Sequence, residues 1–137
     1  MNNPLPCLQQ KYPQASAWSF GDSPEMADEL AALVIAGIKT ASCGSLQAYQ
    51  QENDLPAVGD FSIILDGRDQ PVAVIKTTAL HIIRFCDVTS ELASKEGEGD
   101  RSLAYWRHEH QAFFSREGSY TEQMELLFSE FQLVETL

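Results

Sequence analysis

FSIILDGRDQPVAVIKTT, residues 61–78, sets two apolar, β-branched runs on either side of the turn Asp66-Gly67-Arg68-Asp69-Gln70-Pro71. Runs of this kind separated by turn-forming residues are the pattern of a β-hairpin, with Phe61 to Leu65 as one strand and Val72 to Thr78 as the other. The second run continues through Leu80-His81-Ile82-Ile83-Arg84-Phe85, so this strand is expected to be long and to bend near Ala79. Downstream, Asp87, Val88 and Thr89 begin a short helix that ends at Gly97, and Asp100 is positioned to cap a longer helix from Arg101 to Glu117. The tail from Met124 to Val134 reads as a last strand.

Upstream of the hairpin, Ser23, Pro24 and Glu25 supply an N-cap, an N1 proline and an acidic first turn, while Gly37 supplies the residue just past a helix end. Met26, Leu30, Leu33 and Val34 recur between them at helical spacing, which gives the helix one apolar stripe to bury. Ile38 to Ser42 then reads as a short strand bounded by Gly44, and Ser45 to Asn53 as a brief helix. Residues 1–20 carry three of the six prolines and no sustained periodicity. They read as an N-terminal surface arm pinned by Trp18 and Phe20, with the domain proper spanning 21–137. Sequential hairpins with helices to the side give an α+β fold with a bent sheet or small barrel, and not a doubly wound parallel sheet.

At 137 residues, with 44% apolar and 21% charged positions, the chain has the composition of one globular domain with one core. Nine basic against twenty acidic residues give a net charge of −11, a field that repels duplex DNA. A local basic pocket remains compatible with one nucleotide or a short single strand of RNA. Cys7, Cys43 and Cys86 are odd in number and form no CxxC pair, the usage of free thiols in the cytoplasm. Neither a signal-peptide pattern nor an apolar run of about 20 residues occurs, so no membrane association is expected.

The hairpin is flanked by two motifs. Gly37-Ile38-Lys39-Thr40-Ala41-Ser42 precedes it, followed by Val58-Gly59-Asp60, and Glu96-Gly97-Glu98-Gly99-Asp100-Arg101-Ser102-Leu103-Ala104-Tyr105-Trp106-Arg107 comes after. Taken in this order the motifs resemble the ASCH domain family, in its longer bacterial branch, from about Trp18 to the C-terminus. The resemblance implies a PUA-like β-barrel with flanking helices and a role in RNA metabolism. Two activities occur in such proteins: hydrolysis of N4-acetylcytidine-type amides and cleavage of single-stranded RNA. A third reading is a non-catalytic RNA-binding module that recognises an unstacked base.

In the amidohydrolase branch a lysine, a threonine and a glutamate act together, and the motifs set them at Lys39, Ser42 and Glu96. Serine retains the hydroxyl nucleophile and loses a methyl group. Lys39 is expected to take the hydroxyl proton, which requires a dry site that lowers its pKa; an ionised Glu96 beside it opposes that role. Residues 39 and 42 also fall on opposite faces of a regular strand and converge only through a turn or bulge. Because none of the three is an apolar core residue, their replacement is expected to leave stability nearly unchanged. Thr40, Arg101, Tyr105 and Arg107 are the expected substrate-binding residues, with Arg101 and Tyr105 sharing a helix face at i, i+4. Trp106 and Phe113, seven apart, read as core.

No glycine-rich phosphate loop is present; the nearest stretch, residues 96–100, carries three carboxylates. It serves equally as a solvated connection or as a source of a catalytic Glu98. His108 and His110 are about 200° apart on a helix and cannot share an ion, so neither a metal nor a cofactor is expected. Cys43 reads as a small side chain and not as a nucleophile.

Overall fold

The computed structural model describes residues 5–137. In chain order the elements are α1 (Leu5–Lys11), β1 (Ser16–Trp18), α2 (Pro24–Ile35), β2 (Ala41–Ser45), α3 (Leu46–Gln51), β3 (Phe61–Leu65), β4 (Pro71–Arg84), α4 (Ser90–Lys95), α5 (Leu103–Arg116) and β5 (Glu125–Thr136). One mixed sheet runs β1-β3-β4-β5-β2, with β1 parallel to β3 and every other pair antiparallel. The architecture is α+β, a half-barrel of PUA-like fold with helices around it.

The hairpin of residues 61–78 is the β3–β4 pair, and Asp66 closes its turn by accepting from the amides of Arg68 and Gln70. Its strands read as near-continuous apolar runs because both faces are covered. Ile63 and Val74 pack with Leu8 of α1 on one side, while Ile64, Ala73 and Ile75 pack with Leu30, Ala31 and Val34 of α2 on the other. Full burial of each such leucine, isoleucine or valine contributes about 1.5–3 kcal/mol. The long strand skips register between Thr77 and Ala79, and this irregularity lets β4 and β5 serve a second core further along. That core joins Phe85, Trp106, Phe114, Leu126 and Phe128.

Several boundaries differ from the sequence reading. The segment read as a surface arm carries α1 and the edge strand β1, and only its first four residues lie outside the described ones. Trp18 and Phe20 do anchor it, packed edge to face with centroids 4.7 Å apart. Asp100 does not cap the long helix: it accepts from the amide of Ser102, and Ser102 is the N-cap, accepting from Tyr105. Likewise Thr89 caps α4, after a short 3-10 turn at Phe85–Asp87. The strand expected at 38–42 begins only at Ala41, so Lys39 and Thr40 belong to the link that leads into it.

Candidate functional site

That link is set by a helix end. Beyond the cap residue Ala36, the amide of Ile38 donates to Leu33 and that of Gly37 to Val34, both at 3.0 Å, the paired bonds of a Schellman motif. Gly37 provides the left-handed φ of 77° that this turn demands. The chain then doubles inward: Lys39 donates its amide back to Leu33, and Thr40 donates to the Lys95 carbonyl at 2.7 Å. A second helix end meets the first, because α4 stops at Glu96 and Gly97 turns the chain with φ 74°. A methyl group on Gly97 would lie 2.7 Å from the Ile38 carbonyl oxygen, so only glycine permits the two ends to touch. This contact brings Lys39 and Glu96, 57 residues apart, into one site.

Both are 2% exposed, which excludes the reading of Lys39 as a solvated strand-end lysine. Lys39 Nζ donates to Glu96 Oε1 at 3.3 Å, to the Glu96 carbonyl at 3.2 Å and to Glu98 Oε2 at 2.9 Å, and sits 5.4 Å from the Phe20 ring centroid. The other oxygen of Glu96, Oε2, receives the Trp106 indole N–H at 2.5 Å and faces His110 Nε2 at 3.2 Å and the Cys43 thiol at 3.3 Å. His110 stacks on Trp106 with ring centroids 4.3 Å apart.

Burial by itself pushes the Lys39 pKa down, but Glu96 and Glu98 outweigh it and hold the ammonium above its ordinary value. The expected depressed lysine base is therefore corrected: in this arrangement Lys39 is a charged donor. Burial would raise Glu96, yet Lys39, His110 and Trp106 hold it well below the usual carboxylate range. His110 is raised, burial being overcome by Glu96, whereas burial and the same carboxylate push the Cys43 thiol well up. For Lys39 and Glu96 the geometry argues against the expectation that replacement leaves stability nearly unchanged, since an ion pair this deeply buried cannot lose one partner cheaply.

A cavity of about 280 Å³ opens onto this cluster, lined by Lys39, Ser42, Cys43, Glu96, Glu98 and His110 and walled by Phe20, Tyr105 and Phe113. Glu29, Glu109 and Arg116 stand around it, Arg116 paired with Asp22 at 3.3 Å. Ser42 shares the cavity, but among the described residues its side chain bonds to neither Lys39 nor Glu96. Lys39 precedes the strand, so alternation now sets Ser42 against its neighbour Cys43, whose thiol faces Glu96, and Ser42 also lines a second cavity with Tyr49, Thr77 and Phe131.

The other expected binding residues separate. Tyr105 reaches the cavity, whereas Thr40 turns its hydroxyl to the Lys95 carbonyl. Arg101 lies before α5 with a left-handed φ of 66° and donates to the Ser94 carbonyl, so the expected i, i+4 pairing with Tyr105 does not form. Arg107 lines a different hollow, with Phe85 and Cys86. His110, Cys43 and Trp106 are the site residues that sequence reasoning passed over. On its own helix His110 does not pair with His108, while its partner Glu96 is 14 residues distant in sequence. The available signal was that His110 falls one helical turn after Trp106.

The ASCH domain family model matches residues 16–135. This chain belongs to the ASCH domain family. An ASCH domain structure from Lactobacillus crispatus JV V101 is 33% identical at a TM-score of 0.84, covering 92% of this chain and 83% of that one. A protein from Enterococcus faecalis V583, in the family DUF984, is 36% identical at 0.85, covering 96% and 86%. An ASCH variant protein from Zymomonas mobilis shares 12% identity at 0.55 over 90% of this chain and 74% of its own, a likeness of fold alone. A search of curated proteins gives no match. Among the described residues no helix is long and apolar enough to cross a membrane.

Proposed function

We propose that this ASCH domain is a hydrolase of a small acylated pyrimidine nucleoside or base, of the N4-acetylcytidine type, and that Ser42 is its nucleophile. The observation that carries the reading is the buried Lys39, held by two carboxylates in a cavity that Ser42 also lines. An amide oxygen that replaces Glu98 on Lys39 Nζ meets an ammonium ready to stabilise negative charge in a water-poor site. Ser42 Oγ then adds to the carbonyl carbon, and its proton passes to the displaced Glu98 carboxylate. As the C–N bond breaks, Glu98 returns that proton to the leaving amine; water hydrolyses the acyl-serine. Glu96 keeps Lys39 charged and in place, a positioning role. No step uses a metal or cofactor.

The size and charge of the cavity favour this over the alternatives. Its volume of about 280 Å³ suits one nucleoside or base. Glu29, Glu98 and Glu109 around it repel a phosphate, which speaks against cleavage of single-stranded RNA, while carboxylates accept well from neutral N–H and O–H groups. Tyr105 and Phe113 offer faces on which a base can stack. The three free thiols, Cys7, Cys43 and Cys86, agree with a cytoplasmic setting.

The test is a panel of N4-acylcytidines and a labelled single-stranded RNA, incubated with wild type, Ser42→Ala and Glu98→Gln. The expected result is amide hydrolysis by wild type, lost by orders of magnitude in Ser42→Ala. Wild-type turnover in Ser42→Ala excludes it as nucleophile. Cleavage of the RNA with no amide hydrolysis establishes the ribonuclease, and base binding without turnover establishes the recognition module.

A further inference from the structure

We propose that Cys43 Sγ, His110 Nε2 and Glu96 Oε2 form a site for a single Zn²⁺ ion, with the fourth coordination position open to the cavity. The inference shares Glu96 with the proposed reaction, where its other oxygen holds Lys39, but none of Ser42, Lys39 and Glu98 is a ligand and its test needs no substrate. The three donor atoms lie within 4.8 Å of one another, and Glu96 Oε2 is 3.3 Å from the sulfur and 3.2 Å from the imidazole nitrogen. A tetrahedral zinc with ordinary bond lengths of about 2.3 Å to sulfur and about 2.0 Å to nitrogen and oxygen separates S and O by about 3.5 Å and N and O by about 3.3 Å. Both separations from Glu96 Oε2 therefore match a zinc site to within a few tenths of an ångström, and the sulfur and nitrogen lie within 4.8 Å of each other.

The surroundings are those of a metal site. His110 Nδ1 lies 2.9 Å from the Trp106 carbonyl, which only accepts, so Nδ1 carries a proton and Nε2 is the nitrogen left for a metal. Trp106 Nε1 and Lys39 Nζ fix the two oxygens of Glu96 from outside, the hydrogen bonding that orients a ligating carboxylate. Oε2 faces three donor groups, Trp106, Cys43 and His110, against two lone pairs. One cation in place of the thiol and imidazolium protons relieves that crowding. Glu29, Glu98 and Glu109 add negative potential around the entrance. A mixed thiolate, imidazole and carboxylate set with one open position selects zinc over magnesium or calcium, which prefer all-oxygen shells.

Cobalt(II) reports the site directly. Chelator-stripped protein titrated with Co²⁺ should develop a thiolate-to-cobalt charge-transfer band and tetrahedral visible bands, saturating at one equivalent and erased by Zn²⁺. Cys43→Ser should abolish the charge-transfer band, and His110→Gln should weaken Zn²⁺ binding on the order of 100-fold. Cys86→Ser and His108→Gln should leave both intact. Circular dichroism of each variant separates loss of a ligand from loss of fold. No charge-transfer band in wild type at micromolar Co²⁺ overturns the proposal, as does a band that survives Cys43→Ser. These outcomes are read without substrate, so they stand apart from the success or failure of the amide-hydrolysis assay.

Discussion

Replacing Lys39 with Met keeps most of the aliphatic stem and removes the charge from a position that is 2% exposed. Glu96 Oε1 then loses its Lys39 contact of 3.3 Å, and Glu98 loses the contact at 2.9 Å. Glu98 is 20% exposed at its side chain and turns to water, whereas Glu96 stays buried. Breaking a buried pair from one side costs about 3–5 kcal/mol, and the contacts of Oε2 to Trp106 and His110 put this case near 3 kcal/mol. For a domain of this length that is a fall in Tm of about 10 °C. The double variant Lys39→Met/Glu96→Gln should be less destabilised than the sum of the single changes, because no uncompensated carboxylate remains.

The sign with pH follows from the direction of each shift. The Glu96 pKa is lowered on folding, so its stabilisation is full above the unfolded value of about 4.3 and is lost as pH falls through the lower folded value. The Lys39 pKa is raised, so its share is full below about 10.4 and is lost only as pH rises through the higher folded value. Urea titrations of wild type and Lys39→Met at pH 7, 5 and 3 should show a gap that is full at the first two and smaller at pH 3. A gap below 1 kcal/mol at pH 7, or one that does not shrink at pH 3, would refute the assignment of Lys39 and Glu96 as a buried ion pair.

Gly97→Ala should lower stability by about 1–3 kcal/mol and reduce turnover, because it strains a left-handed residue and drives a methyl group against the Ile38 carbonyl; chemical denaturation measures the first and the acylcytidine assay the second. Arg107→Ala and Arg101→Ala should leave amide turnover unchanged, since neither side chain lines the cavity; a loss of kcat/KM in either would place it back in the site. Single-stranded RNA should bind weakly and lose affinity with added salt, and duplex DNA should not bind at physiological salt, given the net charge of −11. Fluorescence anisotropy across a salt series checks both.

The helix over residues 24–35, the hairpin over 61–78 and the last strand are legible in the sequence, because capping, turn chemistry and apolar periodicity act within a few residues of where they are read. Lys39, Ser42 and Glu96 are singled out there only by the resemblance of the motifs to the ASCH domain family. The charge state of Lys39 was not legible there, because it is a balance between burial and two carboxylates that lie 57 and 59 residues away. Nor was the separation of Arg101 from Tyr105, which depends on α5 starting two residues later than Asp100 would have had it. His110 and Cys43 carry no local mark: on their own stretches they are one histidine on an exposed-looking helix and one small residue in a strand. They become parts of a site only where Gly37 and Gly97 end two helices against each other and Trp106 holds the glutamate between them. Local preferences determined the elements; burial, and the charges that burial forces together, was decided by the tertiary structure, because desolvation is set by everything that surrounds a group and not by its neighbours in the chain.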